Sequence, residues 1–197
     1  MMKTNTLTFI TAFAFAVLAG CSKKGDNGKG PDIGGSGEES SPKVTRYVPP
    51  KGALNSMRGP NSEVDFRSGI YYKKGAQAPY SGILYGLYEN GKARYQLTVK
   101  NGKPDGVSVE WDETGQKRQE SHYVEGVLNG PIRTWHKNGQ KASEGGYKDG
   151  KPDGRFEGWH ENGKKSGEGN FKDGESSDRK FWNKKGEPVD TYEESQK

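Results

Sequence analysis

Glycine and tryptophan recur along this chain at a fixed interval, and that interval constrains the fold more than any other feature. Two glycine columns and one tryptophan column share a spacing of 24 residues: Gly102, Gly126, Gly150 and Gly174; Gly91, Gly115, Gly139 and Gly163; and Trp111, Trp135 and Trp159. Trp182 follows the last of these after 23 residues. A period of this length is typical of repeat proteins, in which each unit packs on its neighbours.

The residues within one period predict a β-hairpin. Val107, Val109 and Trp111 alternate with other residues, so they share one face of a strand. A turn closed by glycine follows, as in Asp112-Glu113-Thr114-Gly115, because glycine adopts a positive φ without a steric penalty. The returning strand ends on a large side chain eight residues after that glycine. These side chains are Val99, Tyr123, Tyr147 and Phe171.

A second turn is predicted where each repeat meets the next. The tetrapeptides Lys103-Pro104-Asp105-Gly106 and Lys151-Pro152-Asp153-Gly154 are identical in sequence. Proline suits the second position of a type I turn, and aspartate and glycine suit the positions after it. We therefore expect a type I turn at each of these tetrapeptides.

These patterns predict an all-β protein with one elongated, twisted antiparallel sheet of about five β-hairpin repeats over residues 73–192. Glycine recurs too often for helices, and no helical apolar stripe outlasts one turn. Residues 51–72 are predicted to form cap strands, with Val64 and Phe66 on one strand and Ile70 on the next. In the last unit Asp178 replaces a glycine and Pro188 follows a turn, which favours a C-terminal cap, and residues 193–197 form a tail.

The aromatic residues of the repeats have two interpretations. The chain is only 28% hydrophobic but 11% aromatic, so the rings carry most of the apolar area available for burial. We therefore expect them to form a core shared by neighbouring hairpins. The alternative is a row of rings that stack on sugars or on the apolar side chains of a partner. The residues concerned are Trp111, Trp135, Trp159, Trp182, Tyr123, Tyr147 and Phe171.

Residues 1–20 predict a signal peptide, because a basic Lys3 precedes an apolar stretch that is too short to span a bilayer. Its end, Leu18-Ala19-Gly20-Cys21, resembles the bacterial lipoprotein box. The resemblance implies cleavage before Cys21, attachment of palmitate-type chains to that residue, and a membrane anchor at the cell envelope. Ser22 in place of aspartate favours the outer membrane. The alternative is a free thiol beside an ordinary cleavage site.

Residues 21–50 are rich in glycine, serine, lysine and proline and predict a flexible lipidated tether. Cys21 is the only cysteine, so neither a disulfide within the chain nor a cysteine-based metal site is possible.

The repeats over residues 64–192 resemble the MORN repeat variant of bacterial proteins, some of which carry an antitoxin-like label. The shared pattern is a tyrosine or phenylalanine, a glycine five residues before tryptophan, and a Glu-Asn-Gly-Lys turn, as at 161–164. The resemblance implies successive hairpins in a long sheet and a non-catalytic protein-binding or scaffold role at the envelope, with an unidentified protein partner. Two alternatives are neutralisation of a cognate toxin and binding or cleavage of cell-wall glycan.

No residue pattern in the chain indicates catalysis, a cofactor or a metal. His136 and His160 share a repeat position, and Asp112 occupies it in another copy. We interpret these residues as polar residues that flank turns, which is a simpler explanation than a zinc site. The carboxylates of the strands allow a glycosidase-like pair in principle, yet a single-layer sheet offers little depth for one. These carboxylates are Glu110, Glu120, Glu144, Glu157 and Glu168. The net charge is +5, and basic and acidic residues are mixed along the repeats and do not form one basic patch. This mixing argues against nucleic-acid binding.

Overall fold

A computed structural model describes residues 47–56 and 62–197. The predicted signal peptide, Cys21 and most of the predicted tether lie outside the described residues. The described part of the chain contains these elements: β1 Leu54–Asn55, β2 Val64–Arg67, β3 Ile70–Lys73, β4 Gly82–Leu87, β5 Ala93–Lys100, β6 Lys103–Trp111, β7 Lys117–Val124, β8 Val127–Trp135, β9 Lys141–Lys148, β10 Lys151–Pro152, β11 Gly154–Trp159, β12 Lys165–Lys172, β13 Glu175–Trp182, β14 Pro188–Val189 and α1 Tyr192–Ser195.

One sheet of twelve strands holds all of the repeats. Its order is β1-β4-β5-β6-β7-β8-β9-β11-β12-β13-β14, and the short β10 also pairs with β9. Every pair from β4 to β14 is antiparallel and follows chain order, so the sheet is a meander of hairpins. The predicted all-β fold with a single sheet of hairpin repeats is confirmed.

The N-terminal cap contains the predicted hairpin and one strand that the sequence did not predict. β2 and β3 form a separate two-stranded sheet, and Tyr71 N–H donates to Gly102 O at 2.8 Å to join it to the first repeat. β1 instead pairs in parallel with β4. Near the end of the predicted tether, the hydroxyl of Tyr47 donates a 2.8 Å hydrogen bond to Gln96 Oε1 of the sheet.

The C-terminal cap replaces most of the last return strand. β14 pairs with β13 only at Phe181 and Trp182, and the chain then enters the short helix α1. The hydroxyl of Thr191 caps this helix by accepting from Glu194 N–H at 3.2 Å. The fifth hairpin is therefore incomplete, and the predicted tail at 193–197 includes the end of α1.

The second turn of each repeat lies before the position that we predicted. β5 ends at Lys100 and β6 begins at Lys103, so the turn residues are Asn101 and Gly102, whose φ angles are 49° and 75°. Two consecutive positive φ angles define a type I′ turn, which matches the twist of a two-residue hairpin better than a type I turn does. The equivalent turns are Glu125-Gly126, Asp149-Gly150 and Asp173-Gly174.

The Lys-Pro-Asp-Gly tetrapeptide lies within a strand and supports the turn of the following repeat. Pro104 O accepts from Gly126 N–H at 2.6 Å, and Asp105 Oδ2 accepts from Glu125 N–H at 3.3 Å. Gly106 has a φ of 111° where the register between β5 and β6 shifts. The type I turn prediction was wrong because the chain already reverses at Asn101-Gly102, so that the tetrapeptide begins the next strand and Pro104 pairs with Val99.

One face of the sheet, here called the aromatic face, carries the core. On this face a large side chain at the end of each return strand lies directly opposite a glycine. The pairs are Val99 with Gly82, Tyr123 with Gly106, Tyr147 with Gly130 and Phe171 with Gly154. All four large side chains are buried. In this single layer the large side chains are buried by packing against one another and against neighbouring strands.

Phe156 shows this packing most closely. Its ring lies over Gly145 of β9, where an added Cβ would overlap the ring atoms. The ring centroid is 5.7 Å from that of Tyr147 and 4.9 Å from that of Phe171, both in edge-on arrangements that aromatic pairs favour. Phe156 is only 5% exposed as a result.

We expect Gly145→Ala to lower the free energy of unfolding by about 1–3 kcal/mol, because the new methyl group overpacks against the Phe156 ring. Chemical denaturation followed by circular dichroism measures this loss. Gly169→Ala is the matched control, since the nearest atom there belongs to the flexible stem of Arg179. Equal losses in the two variants would show that ring packing on Gly145 is not the cause.

Candidate binding face

The tryptophans lie on the opposite face of the sheet, here called the charged face. Each indole is opposite a lysine of its own hairpin across the strand pair: Trp111 with Lys117, Trp135 with Lys141, and Trp159 with Lys165. All four tryptophans are half-buried. The expectation of a shared aromatic core therefore describes Tyr123, Tyr147 and Phe171, which are 6–8% exposed. It does not describe the tryptophans.

A lysine from the preceding hairpin also covers three of the indoles. Lys117 Nζ lies 5.1 Å from the ring centroid of Trp135, and Lys141 Nζ lies 5.2 Å from that of Trp159. Lys165 Nζ lies 5.8 Å from the ring centroid of Trp182. These distances are within the range of cation–π attraction. Two lysines therefore bracket Trp135 and Trp159, and part of each ring stays open to solvent.

A row of charged residues crosses five strands beside the tryptophans. The members lie directly opposite one another in the register and are Glu120, Arg133, Glu144, Glu157 and Glu168. Arg133 bridges two carboxylates, with Nη1 3.2 Å from Glu120 Oε1 and Nε 2.7 Å from Glu144 Oε1. We call this row, together with the lysines bound to it, the ion-pair row.

Lysines and a second arginine complete the ion-pair row. Lys141 Nζ is 2.6 Å from Glu144 Oε2, and the lysines at the equivalent repeat positions also pair with their own hairpin's glutamate. Lys165 Nζ lies 2.8 Å from both Glu157 and Glu168, and Arg155 contacts the same two carboxylates at 3.0 and 2.8 Å. Each isolated surface pair contributes little, but charges joined in a network contribute more than isolated pairs do.

The cations keep these carboxylates ionised. Hydrogen bonds from Lys141 and then from Arg133 lower the pKa of Glu144 below its ordinary value of 4.5. The pKa of Glu120 is lowered chiefly by the hydrogen bond from Lys117. The pKa of Glu168 is lowered chiefly by the hydrogen bond from Lys165. A general acid needs a raised pKa at neutral pH, so these three residues lack that property.

Glu110 differs from the other carboxylates because it lies on the aromatic face. It is opposite Tyr95 on one side and Gln119 on the other. Burial raises the pKa of Glu110, although the positive charge of Arg94 partly opposes this effect. Burial also raises the pKa of Tyr123 to about 12, with a smaller contribution from the negative charge of Glu110.

The histidines connect the neighbouring turns that lie at one end of the strands. His136 Nε2 lies 2.7 Å from Trp159 O, and His160 Nε2 lies 2.8 Å from Trp182 O. A carbonyl oxygen only accepts, so Nε2 carries the proton in both rings. In the first repeat the hydroxyl of Tyr88 makes the same bond to Trp111 O at 2.7 Å. In the part of the chain that the structure describes, no three His, Cys, Asp or Glu side chains cluster to hold a metal ion.

The asparagine of each Glu/Lys-Asn-Gly turn makes a second connection between turns at the same end of the strands. Asn90 Nδ2 donates to Glu113 O at 2.9 Å, Asn138 Nδ2 to Glu161 O at 2.6 Å, and Asn162 Nδ2 to Lys184 O at 2.8 Å. The second repeat differs, because the side chains of Asp112 and Thr114 bond to each other and Asp112 also accepts from Gln116 N–H. Sequence reasoning missed these bonds, since their acceptors lie 22 or 23 residues further along the chain.

Comparison with known families identifies the repeat unit. The family described as the MORN repeat variant matches three consecutive segments, residues 104–125, 128–149 and 152–173. Each matched segment contains one strand that ends at tryptophan, its glycine turn and the return strand that ends in Tyr123, Tyr147 or Phe171. The predicted resemblance is thus confirmed for three repeats, and the first and fifth units lie outside the matches. No curated protein sequence matches the chain.

The ion-pair row predicts a loss of stability in acid. Because folding lowers the pKa of Glu144, its contribution is fully present above about pH 4.5 and is lost as the pH falls through the lower folded-state pKa. We expect thermal stability to fall as the pH drops below about 4.5. Glu144→Gln makes this fall smaller, as measured by melting temperature against pH. High salt, which screens the pairs, has the same effect in the unmodified protein. An unchanged pH dependence in Glu144→Gln would contradict the prediction.

Proposed function

We propose that this chain is a lipid-anchored, non-enzymatic repeat protein that binds a protein partner or serves as a scaffold at the bacterial cell envelope. The observation that carries the proposal is the row of half-buried tryptophans on the charged face. Tryptophan and arginine are enriched at the energetic centres of protein interfaces. A row of equivalent indoles on one sheet suits an extended partner that contacts several repeats at once.

The local geometry supports a pre-formed binding surface. Lys117 lies over the indole of Trp135 and Lys141 over that of Trp159, and both lysines are paired with glutamates of the ion-pair row. Side chains fixed in this way lose little conformational entropy when a partner binds. The charged side chains of the ion-pair row lie beside the solvent-exposed parts of the indole rings. This arrangement favours a partner with both apolar and charged groups.

The non-enzymatic part of the proposal rests on the state of the carboxylates. Catalytic acid and base pairs need groups whose pKa values are pushed apart within a pocket. On the charged face Glu120, Glu144 and Glu168 instead have their pKa values lowered by lysine and arginine partners. They are best explained as parts of a fixed, charged surface.

The proposed anchor rests on the sequence Leu18-Ala19-Gly20-Cys21, which lies outside the described residues. No helix in the described ranges 47–56 and 62–197 is long and apolar enough to span a bilayer. Two or more acyl chains on one cysteine would give a stable anchor, because each buried methylene contributes roughly 0.8 kcal/mol. The residues that follow Cys21 would then carry the repeat sheet away from the membrane surface.

We expect Cys21→Ser to abolish incorporation of radiolabelled palmitate and to move the protein out of the membrane fraction of bacterial cells. Ser22→Ala is the matched control, since it changes the neighbouring residue and retains the thiol. Fractionation and autoradiography read out the two effects. Continued palmitate labelling of the Cys21→Ser protein would exclude the proposed anchor.

Binding through the repeats is tested by removing one of them. Deletion of residues 126–149 joins Glu125 to Gly150, which recreates a type I′ turn and leaves the other hairpins in register. We expect this variant and Trp135→Ala/Trp159→Ala to lose most of the protein cross-links formed in intact cells by a photoreactive residue on the charged face. Phe66→Ala, which removes an exposed ring outside the twelve-stranded sheet, is the control. Full retention of cross-links in both variants would overturn the proposal.

A further inference from the structure

The last long strand of the sheet has an edge that no other strand covers along most of its length. In β6, β8 and β11 the residues just before the tryptophan pair without interruption with a return strand. In β13 only Phe181 and Trp182 have such partners, because β14 is two residues long. We call residues 175–180 the open edge. Unpaired backbone groups on a strand edge are a template for a further strand.

The bulge in β13 does not prevent pairing at the open edge. Asp178 has a φ of 53°, and the register shift lies on the side that faces β12. β6 and β8 carry equivalent shifts towards their preceding strands, yet residues 106–110 and 130–134 pair without a shift with the following strands, where the register changes only at the tryptophan. The outward side of residues 178–182 is therefore equivalent to the side that pairs with a return strand in the preceding repeats, whereas residues 175–177 correspond to the segment that accepts a hydrogen bond from the following turn.

The charges of the open edge are separated along the strand. Glu175 and Asp178 are acidic and come first, whereas Arg179 and Lys180 are basic and come last. All four side chains are exposed. None of the four takes part in an ion pair with any residue of the described ranges. Charges on an edge strand usually discourage pairing, but that effect depends on which charges meet.

We propose that the open edge pairs antiparallel with the open edge of a second copy of this chain. An antiparallel arrangement that places residue 175 of one copy opposite residue 180 of the other brings Glu175 against Lys180 twice, once on each side of the two-fold axis. A parallel arrangement would place like charges together. The symmetry is that of an isologous two-fold dimer, in which the same patch serves both copies and the contact closes. The two sheets then continue into one another across the dimer axis.

The dimer is expected to be weak in solution, because six residues a side bury far less area than a stable interface needs. Sedimentation velocity of the full-length protein in a mild detergent, from roughly 10 µM to 500 µM, is suited to this range. The expected result is a shift from monomer to dimer over that range. A monomer at every concentration would overturn the proposal.

Charge reversal tests the pairing itself. Arg179→Glu/Lys180→Glu makes the open edge entirely acidic, and Glu175→Lys/Asp178→Asn makes it basic while asparagine keeps the positive φ at 178. Each variant alone is expected to dimerise about tenfold more weakly, because like charges now oppose each other across the strands. An equimolar mixture of the two is expected to form heterodimers at least as readily as the unmodified chain forms homodimers.

Lys184→Glu/Lys185→Glu is the matched control, because it makes the same change of charge in the adjacent turn but not on the open edge. Melting temperatures of all variants check that the sheet remains folded. If the acidic variant dimerises as well as the control, or if mixing restores nothing, the dimer uses another surface and the proposal fails. These outcomes do not depend on whether Cys21 is lipidated or on the partner of the charged face.

Discussion

The packing of aromatic rings against glycine is the interaction on which this sheet depends. A single layer has no second sheet to cover its apolar side chains, so each ring must be covered by the strands beside it. The ring of Phe156 lies over Gly145, and the ring of Phe181 lies against Gly167. Because every ring depends on a neighbouring strand, no hairpin can form this core alone.

Hydrogen bonds between the turns at both ends of the strands join one repeat to the next and set the register that the ring packing requires. At one end the Lys-Pro-Asp-Gly tetrapeptide accepts hydrogen bonds from the following type I′ turn. At the other end histidine and asparagine side chains bond to the backbone of the following glycine turn. Because both ends are held in this way, the charged face does not need to supply a core. Its tryptophans can therefore remain half-buried beside the ion-pair row.

Much of the fold and part of the candidate site were predictable from the sequence. The 24-residue period, the alternation of side chains and the glycine turns are local properties of the backbone, and they gave the meander of hairpins correctly. The position of the second turn was predicted wrongly, since Pro104 and Asp105 have the composition of a turn but bond to residues of the next repeat. The parallel strand β1 has no period or turn signal, because its pairing with β4 is a single contact between distant segments.

The sequence by itself determined that the chain is a glycine-bounded hairpin repeat with a row of tryptophans, because period, alternation and positive-φ turns are encoded within a few neighbouring residues. Only the tertiary structure decided that the tyrosine and phenylalanine rings form the core while the tryptophans lie half-buried on the other face among paired charges. It also decided which carboxylates pair with lysine or arginine, and that the last long strand, β13, keeps an open edge. The physical reason is register: these contacts join residues about one repeat apart, and their alignment is fixed only when the hairpins pack side by side.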